Sequence, residues 1–321
     1  MKMKRLLKKE EGAGAVLFAV TLTVLLGFTA LVVDYGRPAL VVRQLQNAAD
    51  SAALAASQEL PVSAGDPAAI SRVKSVAIEY AGKNGFTLAP SDVSLENETG
   101  GKLYRVSVTV RDTLDYTFAR FLGKESVELE RTAAVELLAL GGVRNTVPIA
   151  VKKGEFDSKL AAGEYYMQLK YGSQNNEEGD FGAADLDGIA AGGANDYLWR
   201  LKYGYDDMLY IGDIILVEAG NMSGPTKTGT SFRYNSCPHS PACTASHFET
   251  GCPRVMLVPV VHSIGKKQLQ VDGFAPFFLE GVSGSGNKCE VFGTYIPGIV
   301  VEGEVTGNAN AYGTYGRKLV G

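Results

Sequence analysis

Twenty-two consecutive positions, Gly12 to Val33, carry no Asp, Glu, Lys or Arg. As a helix rising about 1.5 Å per residue, that run spans the roughly 30 Å hydrocarbon layer of a bilayer. It makes a fully soluble cytosolic protein the wrong expectation. Lys2, Lys4, Arg5, Lys8 and Lys9 precede it, partly offset by Glu10 and Glu11, and a cation-rich flank stays in the cytoplasm. The expected layout is a basic cytoplasmic tail (residues 1–11), a single-pass transmembrane helix acting as a signal anchor (12–33), and an extracytoplasmic or cell-surface bulk from Asp34 onward. That bulk carries 26 Lys+Arg against 33 Asp+Glu, a net charge of −7. A cleaved secretory leader has a shorter apolar core and a small-x-small site after it, so it fits this run less well. The charge balance of the whole chain, 31 Lys+Arg to 35 Asp+Glu, speaks against nucleic acid as a partner.

Beyond the span, Val41/Val42, Leu45, Ala48/Ala49, Ala52/Ala53, Ala56 and Leu60 recur at helical spacing, with Arg43, Gln46, Asn47 and Asp50 between them. Ala48, Ala52 and Ala56 form a ladder of small side chains that lets another backbone approach closely, and this is the expected helix-packing interface. Its occupant is either the protein's own domain or a partner helix. Pro38 is expected to kink the path or to start a second helix. Pro61 to Pro67 ends the first helix. A second helix follows over 68–81, with Ile70, Val73, Val76/Ala77 and Tyr80 on one side. Alternation predicts strands over Tyr104–Val110 and Ser126–Leu138, with a short helix over Tyr116–Leu122 closed by Gly123. Residues 34–140 thus read as an Ala-rich helix leading into a small α+β module.

Glycine then becomes dense, with 10 in the first 140 residues and 28 in the remaining 181. Short, turn-bounded apolar runs (146–151, 165–171, 208–217, 255–261, 268–279 and 299–305) predict a mainly β domain over 141–321, a sandwich or partly closed barrel. The fold class of the whole chain is therefore α+β.

All four cysteines, Cys237, Cys243, Cys252 and Cys289, fall in this second domain, near His239, His247 and His262. An exported location and an even count favour two disulfides of undetermined connectivity. Zinc and free thiols are the alternatives, and zinc is disfavoured because no C-x-x-C pair is present. Asp185, Asp187 and Asp196 are weak calcium candidates in a Gly-rich context that lacks the full loop spacing; aspartates in turns usually accept backbone hydrogen bonds instead. Gly281–Asn287 fits neither G-x-S-x-G nor a phosphate loop. Gly220–Thr226 reads as a structured loop. Trp199, among Tyr197, Tyr203 and Tyr205, reads as core or as a binding platform. No catalytic residue and no cofactor are expected.

The stretch from Glu11 through Asp34-Tyr-Gly36-Arg37, followed by Gln44-Leu-Gln-Asn-Ala48-Ala49-Asp50-Ser-Ala52-Ala53-Leu-Ala-Ala56, resembles the N-terminal signature of TadE/TadG-like proteins of the Flp (Tad, tight-adherence) pilus assembly system. Tyr116-Thr-Phe118-Ala119-Arg120-Phe-Leu122-Gly123 is similar to an F-A-R-x-L-G stretch of those proteins. Gly220–Thr226 and Gly273–Glu280 resemble, more weakly, the C-terminal region of one branch. No acidic residue lies between Gly12 and Asp34, unlike a processed prepilin, and D-x-S-x-S is absent. The resemblance implies a pilin-like α+β module and a membrane-anchored envelope component that assembles, anchors or presents a pilus without catalysis. Its partners would be the bilayer, other Tad or envelope proteins and a homo-oligomer. A minor pilin or surface adhesin is the alternative, and an exported hydrolase or metalloprotein a more distant one.

Overall fold

A computed structural model describes residues 11–170, 182–188, 193–218, 220, 222–284, 288–306 and 312–320. The basic tail, apart from Glu11, lies outside the described residues. The chain divides inside one strand. Residues up to Val135, with Leu319 and Val320, make one compact unit and Glu136–Lys318 the other. The fold is α+β.

The first unit is built on one helix, α1 (Glu11–Ala56), which runs through Pro38 without a break in helical structure. Pro38 neither ends the helix nor starts a second one, although it has no N–H to give the Asp34 carbonyl. The helix gives way to a 3-10 turn over Ser57–Glu59 and the short strand β1 (Val62–Ser63). The next helix, α2 (Pro67–Lys83), starts at Asp66, whose side chain accepts from the N–H groups of Ala68 and Ala69 at 3.0 Å each. Pro67 occupies the first position, where no N–H is needed. Strands β2 (Val93–Thr99) and β3 (Lys102–Asp115) form an antiparallel hairpin. Gly100 and Gly101 both turn it with positive φ. A 3-10 turn over Ala119–Leu122 leads to β4 (Ser126–Val143).

Helix α1 packs on α2 and β3 within this unit. Its buried residues are Leu45, Ala48, Ala49, Ala52, Ala53, Ala55 and Ala56, with Leu60 just beyond; all but Ala55 lie on the face the spacing predicts, whose first members Val41 and Val42 are only half-buried. The Ala48, Ala52, Ala56 ladder is therefore covered by the protein's own domain. Helix α2 buries Ala69, Val73, Ala77 and Ala81, a stripe rotated from the expected Ile70, Val73, Val76/Ala77 and Tyr80 face. Only Val73 and Ala77 are common to both. Helix α1 approaches so closely that small side chains, rather than the largest apolar ones, take the inner positions.

In the second unit every predicted apolar run lies on or beside strand structure. The elements are β5 (Val151–Lys152), α3 (Lys153–Ala161), β6 (Tyr166–Lys170), β7 (Ala184–Asp185), α4 (Gly193–Tyr203), β8 (Leu209–Tyr210), β9 (Ile214–Val217), α5 (Ser223–Asn235), β10 (Val255–Gly265), β11 (Gln268–Ser283), β12 (Glu290–Tyr295), β13 (Ile299–Val300), β14 (Gly303–Val305) and β15 (Thr314–Val320). One seven-stranded sheet has the order β5-β10-β11-β12-β6, with β9 also on β11 and β7 on β9. Its centre is the long β10/β11 pair, in register from Val255 opposite Phe278. Phe156 of α3 is buried against Phe277, Tyr295 and Tyr312.

Three helices were not expected here. The Gly220–Thr226 loop becomes, from Ser223 on, the first turn of α5. Helices α4 and α5 pack closely. A Cβ on Gly229 would come within 2.8 Å of the Leu201 side chain, and the Tyr197 hydroxyl meets Thr226 Oγ1 at 3.0 Å in the buried interface.

Candidate functional site

The polar residues at the end of the apolar run are held by a segment about 80 residues away in sequence. Asp34 and Arg37, one helical turn apart, face the same way on α1. Asp34 Oδ1 accepts the Thr117 N–H at 2.8 Å, and its Oδ2 accepts the N–H groups of Phe118, at 2.9 Å, and Ala119. Arg37 Nη1 donates to Thr117 Oγ1 at 2.8 Å. These N–H groups open the 3-10 turn Ala119–Leu122, which has no side-chain cap of its own. The first N–H groups of a helical turn are orphan donors that favour an anion. The Asp34 carboxylate thus serves as an N-cap lent by another helix. Loss of hydration pushes its carboxyl upward, but the N–H donors of Thr117, Ala119 and Phe118, together with Arg37, outweigh that and hold it below its ordinary value. Gly123, at φ 84°, closes the turn. Its tip leaves Phe121 82% and Leu122 88% exposed.

A second constellation lies in the other unit, between α5 and β10. Cys237, His239, Cys243 and Cys252 bring one ligand-type atom each to within 4.8 Å of all the others. Cys237 Sγ is 3.6 Å and Cys243 Sγ 3.3 Å from His239 Nδ1, and Cys252 Sγ is 3.7 Å from Cys237 Sγ. The N–H groups of Cys243 and His239, with the His239 ring, hold the Cys237 thiol below its ordinary pKa. Loss of hydration pushes Cys252 above it, against the N–H of Arg254. Two arginines fix the backbone that carries these groups. Arg233 of α5 donates to the Leu201 carbonyl and, at 2.9 Å, to the Pro253 carbonyl. Arg254 donates to the Cys243 and Leu279 carbonyls at 3.0 Å each, and its guanidinium lies 4.2 Å from the Phe278 ring centre.

The structure shows no disulfide among the four cysteines that the sequence offered as disulfide candidates. They group three to one rather than two and two. Cys289 stands apart from the cluster, its carbonyl 3.5 Å from the buried Lys170 ammonium. Sequence spacing did not signal the cluster, since turns of different lengths bring its members together. The two Cys-Pro dipeptides, at 237–238 and 252–253, were the available cue.

The apolar run, its polar exit and the alanine face behind it form one continuous helix. Residues 12–59 match the model of the Tad family, "Putative Flp pilus-assembly TadE/G-like". No curated protein and no solved structure matches the chain. The matched segment contains Asp34, Arg37 and the Ala48, Ala52, Ala56 face, and the match together with the apolar helix fits a membrane-anchored pilus component. The Phe118–Gly123 stretch that Asp34 holds lies outside the Tad match.

The calcium candidates have other partners. Arg200 of α4 ion-pairs with both Asp185 and Asp187, and the Asp187 N–H donates to Asp185 Oδ1 at 3.2 Å. Asp196 sits separately in the first turn of α4. The aromatic group divides as well. Tyr197 is core, whereas Trp199 is largely exposed, its ring 4.4 Å from that of Tyr203.

Proposed function

We propose that this protein is a non-catalytic, membrane-anchored component of Tad pilus assembly, with its N-terminus in the cytoplasm and everything from Asp34 onward outside the membrane. One observation carries the reading. Along a single helix, none of the apolar residues 14–33 is buried and nearly all are exposed, while the alanines from Ala48 on are buried. Water does not tolerate so long an uncovered apolar surface, but lipid does. The positive flank at 2–9 supports the orientation. The Asp34 tie supports a mechanical role, since it joins the end of the span directly to the turn between β3 and β4. The exposed Phe121 and Leu122, held beside that exit, suit the interfacial layer, where apolar side chains meet headgroups.

Alkaline carbonate washing of membranes, with protease added to intact spheroplasts, tests this. The full-length chain should stay with the vesicles, and protease should remove everything after the span. Release by carbonate, or a protected C-terminal bulk, would end the proposal. Recovery of the protein in sheared filaments would favour the minor-pilin alternative over an assembly component.

A further inference from the structure

We propose that Cys237, His239, Cys243 and Cys252 together bind one zinc ion in a closed, four-ligand structural site. Zinc takes sulfur at about 2.3 Å and imidazole nitrogen at about 2.0 Å in a tetrahedron, which sets ligand atoms about 3.6–3.8 Å apart. The S–S distance of 3.7 Å and the S–N distances of 3.6 and 3.3 Å fall on or near that spacing. A disulfide needs its sulfurs at about 2.05 Å. It would also use two of three converging thiols and leave the third beside the imidazole with no role.

Backbone N–H donors face two of the three sulfurs. Cys237-Pro238-His239 and Cys252-Pro253-Arg254 form two alike turns, each directing the N–H two residues on at the cysteine sulfur. Such N–H groups stabilise thiolate, the form that binds metal. Three thiolates, a neutral imidazole and a soft, tetrahedral donor set select zinc over the hard cations.

The segment also needs a cross-link. Between Asn235, where α5 ends, and Val255, where β10 begins, no helix or strand is present beyond a single bridge of Thr244 to His247. Only a small apolar cluster around Cys243, Cys252, Phe278 and Ile296 lies beneath it. A metal held by both ends of the segment supplies the order that so small a core does not. Outside the membrane it would also keep three neighbouring thiols from oxidative pairing.

Metal analysis of the purified full-length chain in detergent tests this independently of any pilus role. The wild type should carry one zinc per chain. His239→Ala and Cys252→Ser should each lower that content by at least about tenfold, whereas Cys289→Ser should leave it unchanged. Because the ligand variants could misfold, a second measurement uses the wild type alone. After chelation, cobalt(II) should saturate at one equivalent with the intense visible bands of tetrahedral thiolate coordination. A wild type that holds no zinc and gives no such cobalt spectrum overturns the proposal. So does a metal-free intact mass two hydrogens light that reductant restores.

Discussion

The two halves of α1 belong to one unbroken helix and use opposite side chains. From Val16 to Val32 the apolar residues are large (Leu, Val, Phe) and uncovered. From Ala48 to Ala56 the inward positions are alanine and completely buried. On the proposed membrane anchoring, the difference reflects the neighbour. Fluid lipid adapts to bulky side chains and rewards apolar area. A fixed sheet and helix set the separation instead, and only small side chains fit it. Helix α2 follows the second rule with Ala69, Ala77 and Ala81, and Gly229 against Leu201 does so in the other unit. Side-chain size along a helix therefore reports what it packs against.

Placing Arg at Val24, near the middle of the uncovered half, should have the largest effect. A central arginine costs about 3 kcal/mol in helix insertion, enough to lower the carbonate-resistant fraction severalfold. Full retention of Val24→Arg would mean that protein rather than lipid covers this half, and the contrast would fail. Next comes Ala52→Leu, which overpacks the buried half and should lower stability in denaturant by about 1–3 kcal/mol. Val24→Leu, also an enlargement, should be nearly neutral. Equal effects of these two would erase the distinction between a fluid and a fixed neighbour.

The smallest effect is expected at the junction. Asp34→Asn leaves a single side-chain oxygen to accept the N–H groups of Thr117, Phe118 and Ala119, so their amide exchange should quicken while global unfolding changes little. The carboxyl's pKa is lower folded than unfolded, so its contribution is present above the unfolded value and is lost as pH falls through the folded one. Asp34→Asn should therefore resemble the wild type only at pH below the ordinary carboxylate range. Unchanged exchange in the variant at neutral pH would dissolve the tie.

Much of this architecture was readable in the residues because period and size are local. The alanine face, β3, β4 and the strand runs of the second unit follow from apolar spacing of four and two. Strand β2 escaped because Asn97 and Thr99 take the positions that would continue the apolar face of Val93 and Leu95, although Gly100-Gly101 marked the turn. The face of α2 was misplaced because Ile70 and Tyr80 attract attention by size, whereas close packing selected Ala69 and Ala81. Helices α3 to α5 are short, and α5 draws on Gly, Pro and Thr, so they stay silent to propensity and form through packing. The thiol cluster depends on where α5 ends and β10 begins, and a spacing rule for paired cysteines cannot register that.

Pro38 is the weakest turn of α1, yet the helix is fastened on either side of it, by Asp34 and Arg37 before and by the buried run from Leu45 after. A rod clamped on both flanks of its softest joint transmits rotation rather than absorbing it. If the proposed anchoring holds, any tilt that bilayer thickness imposes on the span is therefore delivered, as torque, to the β2–β4 sheet.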